Sequence, residues 1–363
     1  MNHLSRSAIG GAALLLAVPG LLAAQTDPSG DNSPEPALEA RLADQSLLLD
    51  VLRYDDGFVA VGQRGHVLLS DDGRSWTQAD RVPVQSTLTR IEREGRRLWA
   101  VGHDSAILSS ADGGRTWFIQ NWDEEAEEPL LDVEFLTPLK GFAVGAYGRF
   151  MVTSDGGVTW ETERIEDRLV SEAIDWGDVA EDEGGLETMP DDFERDPNVE
   201  TDEGEDVFVD KGCYEFYECH LNDLVVLDDG RLMMAAERGF GYRSEDGGET
   251  WESFRFPYTG SMFGLIELDE CIIAFGLRGN IQKSCDFGDS WEILQYGGDQ
   301  TLMGATHLPD GRVLIVGAAA SRVTIDEQGT IEQQVDRLGS DYAAVLVQGD
   351  HLILVGEDGV RHE

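Results

Sequence analysis

Arginines that recur at one place in a repeated pattern are the side chains of this sequence best suited to binding a partner. Arg64, Arg238 and Arg278 occupy the same position in the segments VGQRG, AAERG and FGLRG. Arg149 lies two residues later in its own copy, GAYGRF, beside Tyr147. A guanidinium group binds a carboxylate through two parallel hydrogen bonds, a geometry that lysine lacks. The pattern therefore predicts a partner-binding set for acidic surfaces, made of Arg64, Tyr147, Arg149, Arg238 and Arg278.

The acidity of the chain supplies an alternative role for these arginines. The sequence has 71 acidic and 27 basic residues, for a formal charge of −44. In the alternative, each arginine pairs with a neighbour such as Glu237 or Asp104, or with the acidic insertion described below. A chain this acidic is poorly suited to neutralising nucleic acid phosphates, so nucleic acid is excluded as a partner.

The elements that must position these residues follow from a repeat. Seven copies of one pattern end 40, 43, 91, 40, 41 and 39 residues apart. Each copy has two short apolar runs around an Asp-Gly or Gly-Asp type turn, which predicts a hairpin of two strands. A period near 40 residues is typical of four-stranded propeller blades, so we predict an all-β, seven-bladed β-propeller. The endpoints are Gly62, Gly102, Gly145, Ala236, Gly276, Gly317 and Gly356.

A second motif, S-x-D-x-G-x-[ST]-W, follows three of the seven endpoints unchanged and two more with one departure each, Thr153 for the first Ser in copy three and a serine displaced to Ser70 in copy one. Its spacing places it on the turn between the third and fourth strands of a blade. There the Asp accepts backbone N–H groups, the Gly adopts a positive φ and the Trp packs into the blade. We therefore predict structural roles for Asp71, Trp76, Asp112, Trp117, Asp155, Trp160, Asp246, Trp251, Asp286 and Trp291.

This motif is the Asp-box, and the regular units of VGxxG followed by S-x-D-G-G-x-T-W resemble the Ycf48-like family of photosystem II assembly factors. The resemblance covers residues 40 to 363 apart from the insertion. It implies a seven-bladed propeller that acts as an exported, non-enzymatic binding scaffold for membrane proteins. Bacterial relatives of the family imply, more narrowly, an accessory or assembly role at an RND/MMPL-type transporter.

An enzyme of another class is the main alternative, because sialidases also contain Asp-boxes. A sialidase-like exo-glycosidase or a carbohydrate-binding propeller would share the fold. Such an enzyme needs an arginine triad, usually announced by Arg-Ile-Pro, and this tripeptide is absent from the sequence. The sequence also lacks a G-x-S-x-G nucleophile motif. We predict no catalytic residues, no cofactor and no metal.

The third and fourth copies are separated by an acidic insertion, predicted over 167–218. Residues 161 to 220 carry 23 acidic and four basic side chains, which is the composition of a solvated segment. The densest carboxylates are Asp191, Asp192, Glu194 and Asp196, and they offer Ca²⁺ binding as an alternative. No EF-hand spacing is present, so the solvated segment is the favoured interpretation.

Four cysteines in an exported chain predict two disulfides. Cys271 and Cys285 flank the Leu277–Gly279 turn symmetrically, so an antiparallel hairpin would place them opposite each other. Cys213 and Cys219 then pair by exclusion. A zinc site that uses His220 with Cys213 and Cys219 is the weaker alternative, because three clustered ligands lack a fourth.

The N-terminal region predicts export to the periplasm. Residues 1–24 read as a signal peptide, with an apolar run from Ala8 to Ala23 and cleavage near Ala24. No cysteine stands immediately after the cleavage site, so a lipid anchor is not expected. Direct membrane insertion is also not expected after cleavage. Residues 25–35 form a predicted linker to a propeller at 36–363. The last copy stops before an outer strand, so we predict that Pro36–Ala43 supplies this strand and closes the ring.

Overall fold

Seven small antiparallel sheets account for the seven copies of the sequence pattern. The computed structural model describes residues 33–170, 219–295, 297–336 and 339–363. Six sheets have four strands in chain order and the last has three, so the seven-bladed propeller is confirmed. These residues contain strands and short 3-10 turns but no α-helix, and hence no helix long and apolar enough to span a membrane.

The strands of each blade run from the innermost to the outermost. Blades 1 to 3 comprise β1 (Leu48–Tyr54), β2 (Gly57–Gly62), β3 (Val67–Ser70) and β4 (Thr77–Gln78); β5 (Leu88–Glu94), β6 (Arg97–Gly102), β7 (Ile107–Ser110) and β8 (Phe118–Asn121); and β9 (Leu130–Phe135), β10 (Gly141–Gly145), β11 (Phe150–Thr153) and β12 (Glu161–Glu163). Blades 4 and 5 comprise β13 (Leu221–Val226), β14 (Leu232–Ala236), β15 (Phe240–Ser244) and β16 (Glu252–Arg255); and β17 (Met262–Leu268), β18 (Cys271–Gly276), β19 (Ile281–Ser284) and β20 (Glu292–Ile293). Blades 6 and 7 comprise β21 (Leu302–His307), β22 (Val313–Gly317), β23 (Arg322–Ile325) and β24 (Ile331–Gln334); and β25 (Tyr342–Gln348), β26 (His351–Gly356) and β27 (Gly359–His362).

The innermost strands form a closed ring, because each contacts the innermost strand of the next blade and β1 contacts β25. Seven apolar clusters fill the seven interfaces between neighbouring blades. Each blade therefore buries both faces against its neighbours, which one small sheet cannot do alone. The core is distributed around the ring.

The glycine at the end of six of the seven copies is explained by a close approach between backbone segments. At Gly62 a Cβ atom would lie 2.3 Å from the Leu47 carbonyl oxygen, just before the innermost strand of the same blade. Gly102 meets the Thr87 carbonyl in the same way, at 2.0 Å. A side chain at these positions would push the first strand away from the second. The Val-Gly endpoint therefore marks a close approach between the first and second strands of a blade.

The predicted closure by an N-terminal strand is wrong. Pro36–Ala43 forms no strand, and its residues run beside blade 1, where the Ala37 N–H donates to the Val82 carbonyl at 2.9 Å. The 3-10 turn Ala43–Gln45 then packs against β27, and Ala43 is buried in the cluster between blades 7 and 1. The segment covers this junction with side chains, and it adds no fourth strand to blade 7 among the described residues.

The Asp-boxes lie on the turns between the third and fourth strands, as their spacing indicates. In box 2, Asp112 accepts the backbone N–H and the hydroxyl of Thr116, at 2.9 and 2.6 Å. In box 1 the assignment of Asp71 is wrong, because Asp72 accepts the equivalent bond from Ser75 N–H at 2.7 Å. Box 1 is one residue shorter than the others between its aspartate and its tryptophan, so counting back from Trp76 selects Asp71, whereas the Ser-x-Asp spacing from Ser70 selects Asp72.

The box tryptophans differ in burial. Trp117 and Trp251 are fully buried, and Trp251 packs edge-on against Phe142 and Phe150 between blades 3 and 4. Trp76, Trp160 and Trp291 are half-buried.

Cys271 and Cys285 form a disulfide that joins the start of β18 to the Asp-box of blade 5. Cys219 is buried against blade 4, but its predicted partner Cys213 lies outside the described residues. The Cys213–Cys219 pair therefore stays a prediction. Also outside the described residues are the signal peptide, most of the linker, positions 171–218 of the insertion and the carboxylates Asp191, Asp192, Glu194 and Asp196.

Candidate docking face

The turns between the second and third strands give one face of the propeller a recurring structure. In blades 1, 3, 4, 5 and 6 this turn is a single 3-10 turn whose central residue has a left-handed backbone. The central φ values lie between 53° and 58°. The central residues are Arg64, Tyr147, Arg238, Arg278 and Ala319.

The left-handed conformation makes the side chains at this position informative. A residue other than Gly, Asn or Asp in this region costs roughly 1 kcal/mol, because its Cβ crowds the backbone. A turn selected for stability alone would carry Gly or Asn. Four of these five turns instead carry a long arginine or a tyrosine, and all four side chains are exposed. We define the docking face by Arg64, Tyr147, Arg238 and Arg278.

The charges of Arg64 and Arg278 face solvent. Within the described part of the chain, neither makes an ion pair within 4.0 Å. The acidic neighbours proposed as their partners have other contacts, since Asp104 accepts the Ser86 hydroxyl and Glu237 lies 3.7 Å from His220. Burial, together with the Arg64 charge, lowers the pKa of His66, so this imidazole stays neutral near neutral pH.

Tyr147 takes the arginine position in blade 3. Its side chain is 53% exposed, and its ring meets the His220 ring edge-on at 5.1 Å between centroids. His220 in turn lies next to Glu237, the residue before Arg238. An aromatic ring at this point extends the face from blade 3 to blade 4 with an apolar surface that can also donate a hydrogen bond.

Arg149 does not belong to the docking face. Its side chain is half-buried, and Nη1 lies 3.0 Å from Glu128 Oε2, on the connection from blade 2 to blade 3. The sequence places Arg149 two residues beyond the left-handed position, where the 3-10 turn has ended and the third strand is about to begin. Its role is to tie two neighbouring blades together.

A second group of charged residues, which the sequence analysis missed, lies inside the ring. Arg90 on β5 places Nε 2.9 Å from Asp132 on β9 and Nη2 3.0 Å from Asp223 on β13. A side chain that reaches from blade 2 to blade 4 must cross the space that the innermost strands enclose. Asp50 on β1 lies 3.8 Å from the same guanidinium. We call the group formed by Asp50, Arg90, Glu92, Asp132, Glu134 and Asp223 the axial cluster.

Each aspartate of the axial cluster also accepts a backbone N–H from the next blade. The donors are Ile91 to Asp50 at 3.0 Å, Leu224 to Asp132 at 2.7 Å and Leu265 to Asp223 at 2.8 Å. The aspartates therefore bridge blades 1 to 2, 3 to 4 and 4 to 5.

Burial raises the pKa values of the carboxyl groups in the axial cluster. It raises the pKa of Asp223 to about 7 and that of Glu92 to about 8, while the Arg90 charge opposes the shift. Burial and the neighbouring Glu92 and Asp132 charges raise the pKa of Glu134 as well. The Arg90 side chain remains 35% exposed, so water reaches the guanidinium within the ring. The cluster is therefore a protonatable site, although no group of metal-binding geometry occurs among the residues described.

An alignment of the repeat copies would have revealed the axial cluster. Asp50, Arg90, Asp132 and Asp223 all stand two residues after the leucine that begins the innermost strand.

Sequence comparison relates the whole propeller to known proteins, although no protein-family model matches the chain. It is 28% identical over 322 residues to the photosystem II assembly lipoprotein Ycf48 of Synechococcus sp. (strain CC9902). That match covers 83% of this chain and 91% of the relative. Over most of its length the chain is therefore similar to Ycf48. A second Ycf48, from Parasynechococcus marenigrum (strain WH8102), is also 28% identical, over 60% of this chain and 64% of the relative.

Solved structures support the fold of this Ycf48-like chain. A structure of "YCF48 bound to D1 peptide" superposes with a TM-score of 0.61 at 17% identity, covering 92% of this chain and 98% of the other. YCF48 from Cyanidioschyzon merolae gives a TM-score of 0.60 at 16% identity, covering 87% and 95%. At these identities the structures show the propeller architecture and leave the partner of this chain open.

Proposed function

We propose that this Ycf48-like chain is an exported, non-enzymatic scaffold that docks a membrane protein or membrane complex through the docking face. The relatives are named as assembly lipoproteins of photosystem II, and one solved neighbour holds a D1 peptide. Assembly work of this kind needs a surface that binds and releases a partner.

One observation carries the proposal. Arg64, Arg238 and Arg278 are exposed, and each occupies a backbone conformation in which glycine would be more stable. Long side chains retained at a strained position indicate a use beyond folding. Their planar N–H groups suit carboxylates on the partner, and Tyr147 adds an aromatic contact.

The proposal also includes a route of export and a class of partner. Export proceeds through the N-terminal signal peptide at residues 1–24 to the periplasm. The partner is an RND/MMPL-type transporter or its complex, a choice that rests on the family resemblance alone. Neither statement is needed for the docking face to act.

Glycine substitutions provide a sharp test of the docking face. The triple variant Arg64→Gly, Arg238→Gly, Arg278→Gly should fold as stably as the wild type, since glycine relieves the left-handed strain. It should lose most of the membrane partner that wild-type protein captures from detergent-solubilised membranes, measured by mass spectrometry after cross-linking. Ala319→Gly changes the same turn in blade 6, outside the docking face, and should retain the partner. Full retention by the triple variant would place the binding site elsewhere.

A further inference from the structure

The axial cluster is connected to the docking face through strand register. Asp50 pairs with Val61, Asp132 with Val144 and Asp223 with Ala235, on the second strands of blades 1, 3 and 4. In each blade the left-handed residue follows three positions later. Asp50, Asp132 and Asp223 are therefore each paired with a residue that lies three positions before Arg64, Tyr147 or Arg238 along the second strand.

The connection continues into blade 5 and stops there. Asp223 bonds the Leu265 N–H, and Leu265 follows Gly264, which pairs with Phe275, three residues before Arg278. On β21 and β25 the equivalent positions are Gly304 and Ala344, so blades 6 and 7 add no charge there. The cluster thus ties together blades 1, 3, 4 and 5, which carry the docking face, and blade 2, which does not.

The charge balance of the cluster is unequal, with five carboxyl groups facing one guanidinium. The groups are Asp50 from β1, Arg90 and Glu92 from β5, Asp132 and Glu134 from β9, and Asp223 from β13. If all were ionised, the net charge of −4 would push the innermost strands of blades 1 to 4 apart. Protons are the available means of reducing this repulsion, since Arg90 is the cluster's single cation.

We propose that the axial cluster is a proton-linked clamp that holds blades 1 to 5 in register, so that partner docking is stronger at mildly acidic than at mildly alkaline pH. This inference rests on the proposed docking function and adds its regulation. Glu92 and Asp223, with pKa values of about 8 and about 7, define the range over which the clamp loosens. Their pKa values are higher in the folded protein than in an unfolded chain. The folded state therefore binds more protons, and stability falls as pH rises through this range.

Hydrogen exchange tests the clamp without any partner. The peptides containing Ile91, Leu224 and Leu265 report the amides bonded to the cluster. After correction for the intrinsic exchange rate, their protection should fall at least ~10-fold between about pH 5 and about pH 8. Ala305 and Val345 occupy the same strand position in blades 6 and 7 and serve as internal controls, whose protection should change little.

The double variant Glu92→Gln, Glu134→Gln keeps the shape of both side chains and removes two ionisable groups. It should fold and show a smaller pH dependence at the three clamp peptides than the wild type, because Glu92 and Glu134 no longer titrate while Asp223 still does. The same pH dependence in clamp and control peptides, or in wild-type and variant protein, would overturn the proposal.

Partner capture at two pH values distinguishes this inference from the proposed function. Wild-type protein should capture several-fold more cross-linked membrane partner at about pH 6 than at about pH 8, and the double variant should show a clearly smaller difference between the two pH values. If wild-type protein captures no partner at either pH, the proposed function fails, and hydrogen exchange still decides on the clamp. If capture occurs but does not vary with pH while hydrogen exchange does, the coupling between clamp and docking face is wrong.

Discussion

Asp132 and Asp155 belong to the same blade, yet their surroundings shift the pKa values of their carboxyl groups in opposite directions. Asp132 lies inside the ring, where loss of solvent raises its pKa despite the Arg90 charge. Asp155 lies on an exposed Asp-box turn, where the hydroxyl and backbone N–H of Thr159 lower its pKa to about 2. Both carboxyl groups accept backbone hydrogen bonds, so hydrogen bonding does not distinguish them.

The contrast teaches that solvent decides what a repeated acidic residue does in this propeller. In the Asp-boxes, water stabilises the charge, and local donors then make the charged form a stable turn element. In the axial cluster, water is scarce, and the same donors cannot offset the cost of burying several charges. Aspartate thus stabilises turns in its charged form at the surface, whereas at the axis it is a titratable group.

The largest loss of stability is expected when a buried Asp-box tryptophan is removed. Trp251→Ala removes a side chain that is 0% exposed and packs against Phe142 and Phe150. The expected loss is about 3 to 5 kcal/mol of unfolding free energy, measured by denaturant unfolding. Trp76→Ala is the matched change at a half-buried box tryptophan and should cost clearly less. Equal losses would show that burial is not what separates the boxes.

In the axial cluster, removal of one aspartate side chain is expected to lower the free energy of unfolding by about 3 kcal/mol. Asp132→Ala leaves Arg90 without its nearest partner and the Leu224 N–H without an acceptor. Denaturant unfolding at neutral pH measures this loss. Asp246→Ala, in an exposed box, serves as the comparison and should cost less, because water replaces the lost bonds. If Asp246→Ala proves the more damaging change, solvent access does not govern the two regions.

The smallest effect distinguishes two adjacent aspartates of box 1. Hydrogen bonds from the Ser75 and Arg74 N–H groups lower the pKa of Asp72, so its contribution is present above the ordinary carboxyl range and is lost as pH falls through it. Asp72→Asn should therefore lower the melting temperature by about 1 to 2 °C near neutral pH. The difference from wild type should vanish toward about pH 2. Asp71→Asn should leave the melting temperature unchanged at every pH, and a reversed order would restore the original assignment of the box.

Much of the molecule was predictable from short-range patterns. The period near 40 residues and the alternation of apolar runs indicated seven blades, because each blade folds from contiguous chain. The positions of Arg64, Arg238 and Arg278 were predictable for the same reason. The errors at Asp71 and Arg149 each arose from a shift of one or two residues, which decides whether a side chain meets the turn or the strand.

The number of blades, the Asp-box turns and the loops that carry the arginines can be predicted from residue order, since all of these depend on neighbours along the chain. The path of Pro36–Ala43 and the existence of the axial cluster became visible only in the folded ring. The physical reason is ring closure. Asp50, Arg90, Asp132 and Asp223 come from four blades and meet only when the innermost strands surround a common axis, and that burial turns ordinary acidic residues into groups that bind protons near neutral pH.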